Sequence, residues 1–195
     1  MSNNEFNGDI FIGDISRGAP NGHGTYTFSA RSKNAGDVYI GAVKDGRPYG
    51  KGRYLFSNGK RYLGDVKNGK PDGQGVFTFV PPSRYVGDVY VGDVKNGKPH
   101  GIWTTRTRLG VKWFDRTFNM GEIEGKVILY DEEGIKKEEH FADSDDDDAN
   151  DIKVQYNKQG SIDRIYNGDE WIEGDKVKNY KVIEYKNRFE LTPTD

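Results

Sequence analysis

Three histidines (His23, His100 and His140), a run of acids at residues 142–151 and no cysteine are what the chain offers for chemistry. A covalent catalyst needs a nucleophile beside a base, and no Ser-His-Asp order is present; cysteine nucleophiles, thiolate metal sites and disulfides are excluded by composition. No phosphate-cradling Gly-Lys-Ser/Thr loop, His-x-x-x-His or His-Glu pairing occurs either. The acidic run "ADSDDDDAND" lacks the alternating carboxylates, mid-loop glycine and closing acid of a calcium loop. It reads as a solvated hairpin loop repelled by its own charge, with a contact to a basic surface or loose divalent binding as the alternatives. The expectation is a protein that is not an enzyme and has no cofactor and no metal.

The cations are more ordered than the acids. Residues 36–110 hold 13 Lys and Arg against 6 Asp (13 − 6 = +7), and residues 131–151 hold 2 Lys against 11 Asp and Glu (2 − 11 = −9), a division hidden by the net charge of −2. Six of the cations, Lys44, Arg47, Lys67, Lys70, Lys95 and Lys98, recur at fixed places in a repeat. That repeat is what must position them.

Its template is an aromatic, then Gly at plus 2, Gly at plus 7, Pro at plus 9, Gly at plus 11 and Gly at plus 13. It starts at Phe11, Tyr39, Tyr62 and Tyr90, with Trp103 in place of the last glycine of the fourth copy. Tyr90 keeps the register of the doubled "YVGDV", whereas a frame set on Tyr85 puts Asn96 where the third glycine belongs. Starts spaced by 28, 23 and 28 residues signal an array of one supersecondary unit. Alternation with period two between the glycines, and turns such as "KNGKPDG", make each unit a β-hairpin whose tip carries the cations at plus 5 and plus 8. The core face takes the pairs Phe11 and Ile15, Tyr39 and Val43, Tyr62 and Val66, Tyr90 and Val94. Between each pair the plus 2 glycine leaves a flat spot that an aromatic from the next strand, at plus 15 or plus 17, can cover. Two copies carry insertions, "SARSKNA" (29–35) and "VPPSRY" (80–85).

An aromatic-x-Gly-x4-Gly-x3-Gly-x-Gly pattern at about 23 residues resembles the MORN repeat, over roughly residues 8–105. It departs from the usual pattern in having Ile or Val at 15, 43, 66 and 94, where many family members carry a large aromatic. The resemblance implies one long twisted antiparallel sheet with a semi-open groove that serves as a scaffold, dimerisation or docking surface. It also implies kinship with arrays that accompany lipid kinases or methyltransferases, whose catalytic domain has no room here, and with stand-alone arrays of large viruses and bacteriophages.

After Trp103 the template fades but strand signals continue, among them "VKWFDRTF", "KVILYDEEG", "IKVQYNKQG" and "VKNYKVIEYK". Tyr166, Gly168 and Gly174 with Trp171 form a degenerate copy, one residue out of step. The expected fold is all-β: an elongated single-layer antiparallel sheet of stacked hairpins over residues 1–108, continued by a less regular antiparallel region over 109–195 with the acidic loop at 142–151. No stretch of 12 or more residues has helical periodicity, so a short C-terminal turn is the limit of helix.

The function this suggests is a structural or protein–protein interaction module, meeting another protein or its own copies, in the cytoplasm or as part of a virion. Tyr49, Trp103, Trp113 and Phe114 break or lie outside the aromatic ladder and are the candidate contacts. The alternative is peripheral binding of anionic phospholipid through the stripe of Lys44, Arg47, Lys67, Lys70, Lys95 and Lys98. Nucleic acid is not expected, because no aromatic-interleaved basic run matches a reader. Neither a basic, apolar leader at "MSNNEFNGD" nor an apolar run of membrane-spanning length is present.

Overall fold

A computed structural model describes residues 4–6, 8–79, 88–142, 152–167, 169–184 and 189–194. Within these the chain is strand after strand, with one 3-10 turn, Gly174–Asn179, in place of any longer helix. It divides into two compact units, Met1–Lys98 and Pro99–Asp195, earlier than the boundary at residue 108 suggested by the fading glycine template.

In the first unit the strands are β1 (Asn4–Phe6), β2 (Asp9–Ser16), β3 (Ala19–Thr27), β4 (Val38–Lys44), β5 (Arg47–Leu55), β6 (Lys60–Lys67), β7 (Lys70–Phe79) and β8 (Val89–Lys95). They pair antiparallel in chain order, so each hairpin is hydrogen-bonded to the next. The tips are two-residue turns with both residues at positive φ, such as Asp45 (49°) with Gly46 (75°) and Asn68 (51°) with Gly69 (78°). That geometry matches the right-handed twist of the flanking strands and explains the Asn-Gly and Asp-Gly pairs. Inward of each tip lies a bulge. Gly41 pairs with Gly52 and Val43 with Pro48, which leaves residues 49–51 opposite Ala42 alone, with Gly50 at positive φ. Proline fits there because a bulge removes the demand for its missing N–H.

The core of this unit lies on one face of its sheet, where rings lie flat across glycines. A methyl built on Gly52 would meet the Tyr39 ring at 2.3 Å, and one on Gly75 the Tyr62 ring at 2.2 Å. The ring that covers the plus 2 and plus 13 glycines is thus the repeat's own first aromatic, and not the plus 15 or plus 17 aromatic expected from the sequence. Those later rings pack beside it: Phe11 on Tyr26, Tyr39 on Tyr54 and Tyr62 on Phe77 are each 4.7 Å apart with tilted planes. Tyr39, Tyr54 and Tyr62 are buried, as are Val43, Val66 and Val94, but Ile15 is 39% exposed because no repeat precedes its own.

Each hairpin is also tied to the one before it. The tip amides of Gly46, Gly69 and Gly97 donate to the carbonyls of Pro20, Pro48 and Pro71 at 2.8–2.9 Å. The Tyr26 and Tyr54 hydroxyls donate to the carbonyls of Gly46 and Gly69, both at 2.7 Å. Within a hairpin, the carbonyl freed by the bulge accepts from the first aromatic, Tyr39 to Ala42 at 2.7 Å and Tyr62 to Asp65 at 2.6 Å. Polar groups that would be orphaned by burial are thereby paired.

In the second unit, β9 (Lys98–Arg106), β10 (Lys112–Asn119), β11 (Glu122–Tyr130), β12 (Lys136–Ala142), β13 (Lys153–Tyr156), β14 (Ile162–Tyr166) and β15 (Trp171–Glu173) pair in chain order. β16 (Tyr180–Glu184) and β17 (Phe189–Pro193) form a separate pair. The hairpin β10–β11 is a fifth repeat in all but sequence. Counted from Phe114, its pairs Phe114 with Leu129, Arg116 with Val127 and Phe118 with Ile123 fall at the same offsets as Tyr39 with Tyr54, Gly41 with Gly52 and Val43 with Pro48. Met120 and Gly121 form the positive-φ tip, Gly125 the bulge, and the Gly121 amide donates to Pro99 at 2.8 Å. Only the plus 7 and plus 11 glycines of the template survive here, too few to mark the copy by glycine spacing. The copy expected at Tyr166 is instead a tight turn in which Asn167 Oδ1 accepts the amides of Asp169 and Glu170, and Tyr166 pairs with Trp171; Gly168 lies outside the described residues.

The apolar side of this sheet changes surface along the chain. Cross-strand partners share a face. Trp103, Arg116, Val127 and His140 form one register line, and Thr104, Asp115, Ile128, Glu139, Val154, Ile165 and Ile172 form another on the opposite face. Trp103 and Val127 are buried on the first face, and Val154, Ile165 and Ile172 on the second. Val154 packs with Ile152, Tyr156 and Val182 of β16. On the vacated first face Glu138, Gln155, Arg164 and Glu173 stand side by side, with Gln155 donating to Glu138 (2.6 Å) and Arg164 to Gln155 (2.5 Å) and Glu173 (3.2 Å).

Candidate interaction site

The core face of the first unit carries two equivalent cavities one repeat apart. One, of about 290 Å3, is lined by Tyr26, Phe28, Asp9 and the tip backbone of Gly46, Pro48 and Gly69. The other, of about 270 Å3, is lined by Tyr54, Phe56, Asp37 and the corresponding Gly69, Pro71 and Gly97. Asn34, from the inserted "SARSKNA" segment, lines both. The insertion is held by short-range turns, Ala35 to Ser32 and Asp37 to Asn34, and so its residues are placed beside the groove rather than left as slack. The aspartates fix the chain ends: Asp9 accepts the Ser29 amide at 2.9 Å and Asp37 the Ser57 amide at 2.8 Å.

In the third repeat a lysine replaces that aspartate. Lys60 Nζ lies 3.9 Å from the centre of the Phe77 ring and 5.7 Å from that of Phe79, and burial lowers its pKa. No carboxylate pairs with it among the described residues, so the charge is held by ring faces alone. The groove thus offers apolar rings, the side chains of Arg47 and Lys70 beside the tips and, in Lys60, a desolvated cation. It has no nucleophile with a base, and among the described residues no group of three or more His, Cys, Asp or Glu could hold a metal.

The six stripe cations Lys44, Arg47, Lys67, Lys70, Lys95 and Lys98 are all exposed. Lys44 stands directly across the tip from Arg47, and Lys67 from Lys70. Like charges opposite one another cost stability. Of the four aromatics singled out, Tyr49 is 43% exposed with Lys44 Nζ 5.6 Å from its ring centre, and Trp113 is 44% exposed with its ring 5.3 Å from Phe114. Phe114 is half-buried under the Arg116 guanidinium at 4.1 Å. Trp103 is 4% exposed and meets Phe118 edge-on at 6.4 Å, so the residue that breaks the glycine template is part of the core and not a free contact. The acidic loop, from residue 143 to 151, and Tyr85 lie outside the described residues.

A further surface is the face opposite the groove. Two adjacent register lines cross it: Ile12, Thr25, Ile40, Arg53, Leu63, Val76, Val91, and Ile10, Thr27, Val38, Leu55, Arg61, Thr78, Val89. Ile10, Ile12, Ile40, Leu55 and Leu63 are 37–56% exposed. The signal was in the template all along, since the position after each first aromatic is Ile12, Ile40, Leu63 and Val91, where a solvated face should be polar.

Two networks in the second unit are structural. The Asp115 carboxylate accepts from Thr104 (2.7 Å) and Tyr130 (2.8 Å) and pairs with Lys112 (2.6 Å). Burial works to raise its pKa, but these partners outweigh it and hold the group below the usual carboxylate range. Glu139 behaves likewise, burial being overcome by the Tyr156 hydroxyl, Lys126 and Lys136. No described helix is long and apolar enough to cross a membrane.

Residues 11–32, 39–61, 62–81 and 90–102 match the family model of the MORN repeat. A comparison of the chain with curated proteins finds no match.

Proposed function

We propose, with four MORN repeats as the premise, that this protein is a non-enzymatic interaction module: a rigid scaffold whose core-face groove receives an extended segment of a partner protein. The observation that carries the reading is the recurrence of one cavity at the repeat spacing, with Lys60 unpaired beside it. A segment bearing an apolar side chain for each cavity and a carboxylate for Lys60 is the complement of this surface. Extended segments recognised by backbone and alternate side chains are a common mode for β-rich modules. The same stiffness suits a subunit of a larger particle, virions included.

Capture of partners from the source organism's lysate with the intact protein and with Lys60→Met tests the proposal. The variant keeps the volume of the side chain and removes a half-buried charge held against the rings, so the fold should be at least as stable. Loss of a specific protein in Lys60→Met alone supports the groove; an unchanged set of partners refutes it.

A second reading, anionic phospholipid bound through the stripe, is favoured by the like charges opposed at the tips. Flotation with phosphatidylserine-containing vesicles should then fall steeply with salt and vanish when Lys67, Lys70, Lys95 and Lys98 become Glu. Binding indifferent to both ends that reading.

A further inference from the structure

Successive tips repeat a backbone but not a side chain. Asn68 and Asn96 hold the same turn conformation, with φ of 51° and 52°. The glycine after each donates its amide to the preceding proline carbonyl, Gly69 to Pro48 at 2.9 Å and Gly97 to Pro71 at 2.8 Å. The amides of the two asparagines are served differently. The Asn96 amide donates to the carboxylate of Asp72, the residue after Pro71, at 2.9 Å. The residue after Pro48 is Tyr49, which has no carboxylate to offer, and the Asn68 amide meets no acceptor among the described residues.

Beside that amide lies a cavity of about 410 Å3 lined by Lys44, Asp45, Arg47, Tyr49 and Asn68. Lys44 and Arg47 stand directly across the tip from each other, and among the described residues neither is ion-paired. Lys44 Nζ lies 5.6 Å from the centre of the Tyr49 ring, so the ring is drawn to its own hairpin and leaves the Asn68 amide open to the cavity. Two cations against the one carboxylate of Asp45 leave the lining with an excess of one positive charge (2 − 1 = +1). We infer that this cavity is a carboxylate-binding site. It takes an Asp or Glu side chain from an acidic segment of a partner protein, in the position that Asp72 occupies one repeat later.

The chain supplies its own precedent for the ligand. Asp72 follows Lys67 and Lys70 at the offsets at which Tyr49 follows Lys44 and Arg47, so the third repeat carries in its own sequence the acid that the second repeat lacks. Of the three tips with a cation at both places, the one without that acid is also the one with an arginine. A guanidinium grips both oxygens of a carboxylate at once, which the point charge of a lysine cannot do. The incoming group would accept from the Asn68 amide and from Arg47, with Lys44 completing its charge balance and the Tyr49 ring against its methylenes. The cavity shares Arg47 and Asn68 with the nearer groove cavity, but the inference concerns this one pocket and stands whether or not the groove binds a segment.

Proton–nitrogen correlation spectra of the full chain, titrated with N-acetyl-glutamate amide at an ionic strength held constant with NaCl, test it. The Asn68 amide should move downfield with a Kd on the order of 10 mM, while the Asn96 amide, already bonded to Asp72, stays in place. Arg47→Gln should weaken the binding by about 5-fold or more. Tyr49→Asp should supply the carboxylate from within the chain, so that the Asn68 amide starts near its ligand-bound position and the probe moves it no further. Asp72→Tyr should do the reverse and make the Asn96 amide respond. Neither Tyr49 nor Asp72 is buried, so circular dichroism should show both variants folded. An Asn68 amide that the probe does not move, an equal response at Asn96 in the intact chain, or a Tyr49→Asp protein that responds as the intact one does each overturn the proposal. So does inorganic phosphate binding more tightly than the probe at the same ionic strength, since the pocket is then a phosphate site.

Discussion

An alanine at Gly52 tests the claim that glycines exist to let the repeat's own ring lie flat. Its methyl would sit 2.3 Å from Cε2 and Oη of Tyr39 and 2.5 Å from Cζ. The ring cannot slide aside, because a second glycine, Gly41, is equally crowded, a methyl there meeting the Tyr39 hydroxyl at 2.6 Å and the Gly52 Cα at 2.6 Å. It must lift. Exposing roughly 150 Å2 of a ring at about 25 cal/mol/Å2 costs about 4 kcal/mol as an upper bound, and losing the hydroxyl bond to Ala42 adds about 1 kcal/mol. Partial relaxation should leave a loss of about 3 kcal/mol in urea unfolding followed by circular dichroism. Gly46→Ala is the control: a methyl there meets nothing within 4 Å, so only its φ of 75° is strained, at about 1 kcal/mol. In a Tyr39→Ala background the three nearest contacts of the methyl, all to the Tyr39 ring, are gone, and Gly52→Ala should then cost at least about 2 kcal/mol less than in the intact chain. Equal cost in both backgrounds, or a Gly52→Ala no worse than Gly46→Ala, would refute the reasoning.

Three other outcomes are expected. Burial, with Asp9 adding to it at Tyr26, pushes the hydroxyls of Tyr26 and Tyr39 up to about 12; their folded pKa exceeds the unfolded value of about 10, so this stability is whole below pH 10, is lost as pH rises toward 12, and is reduced in Tyr39→Phe, as a tyrosinate absorbance titration against unfolding will show. Asp115→Asn should cost about 2–4 kcal/mol at pH 7 by stranding Lys112. Because Asp115 is depressed when folded, the gap should close as pH falls through the carboxylate range, and a gap constant from pH 7 to pH 2 would contradict the network. Met120→Asn should stabilise by about 0.5–1 kcal/mol, since Met120 holds a φ of 48° at a tip position that Asn68 and Asn96 fill in two of the other hairpins; a lower midpoint in urea would speak against the fifth hairpin's tip.

The hairpins of the first unit could be read from the sequence because every copy repeats its turn residues at fixed offsets, and local rules decide turns. What covers a glycine could not, since the choice between Tyr39 and Tyr54 is made by how rings pack once the strands pair. The fifth hairpin escaped because Arg116, Ile123 and Val127 replace Gly, Pro and Gly, while its register rests on Gly121 and Gly125 alone. Trp103 looked free because it breaks a template, yet a large ring at a core position is simply buried. Ile12, Ile40 and Leu63 stand in the sequence beside the core aromatics, but alternation within a strand does not say which of its two faces is left open to water. The exchange of apolar sides between Val127 and Val154 is a matter of pairing, which periodicity within a strand does not report.

The bond from each tip amide to the preceding proline carbonyl has the same form at every step. Such a joint is modular: a whole hairpin inserted or deleted leaves its neighbours with the joints they had, so the number of repeats is a length that duplication can adjust in single units. The second unit ends that freedom, for past the point where the sheet exchanges its buried surface a copied hairpin would present its oily side to water. The array can be lengthened from within but not beyond its own terminus.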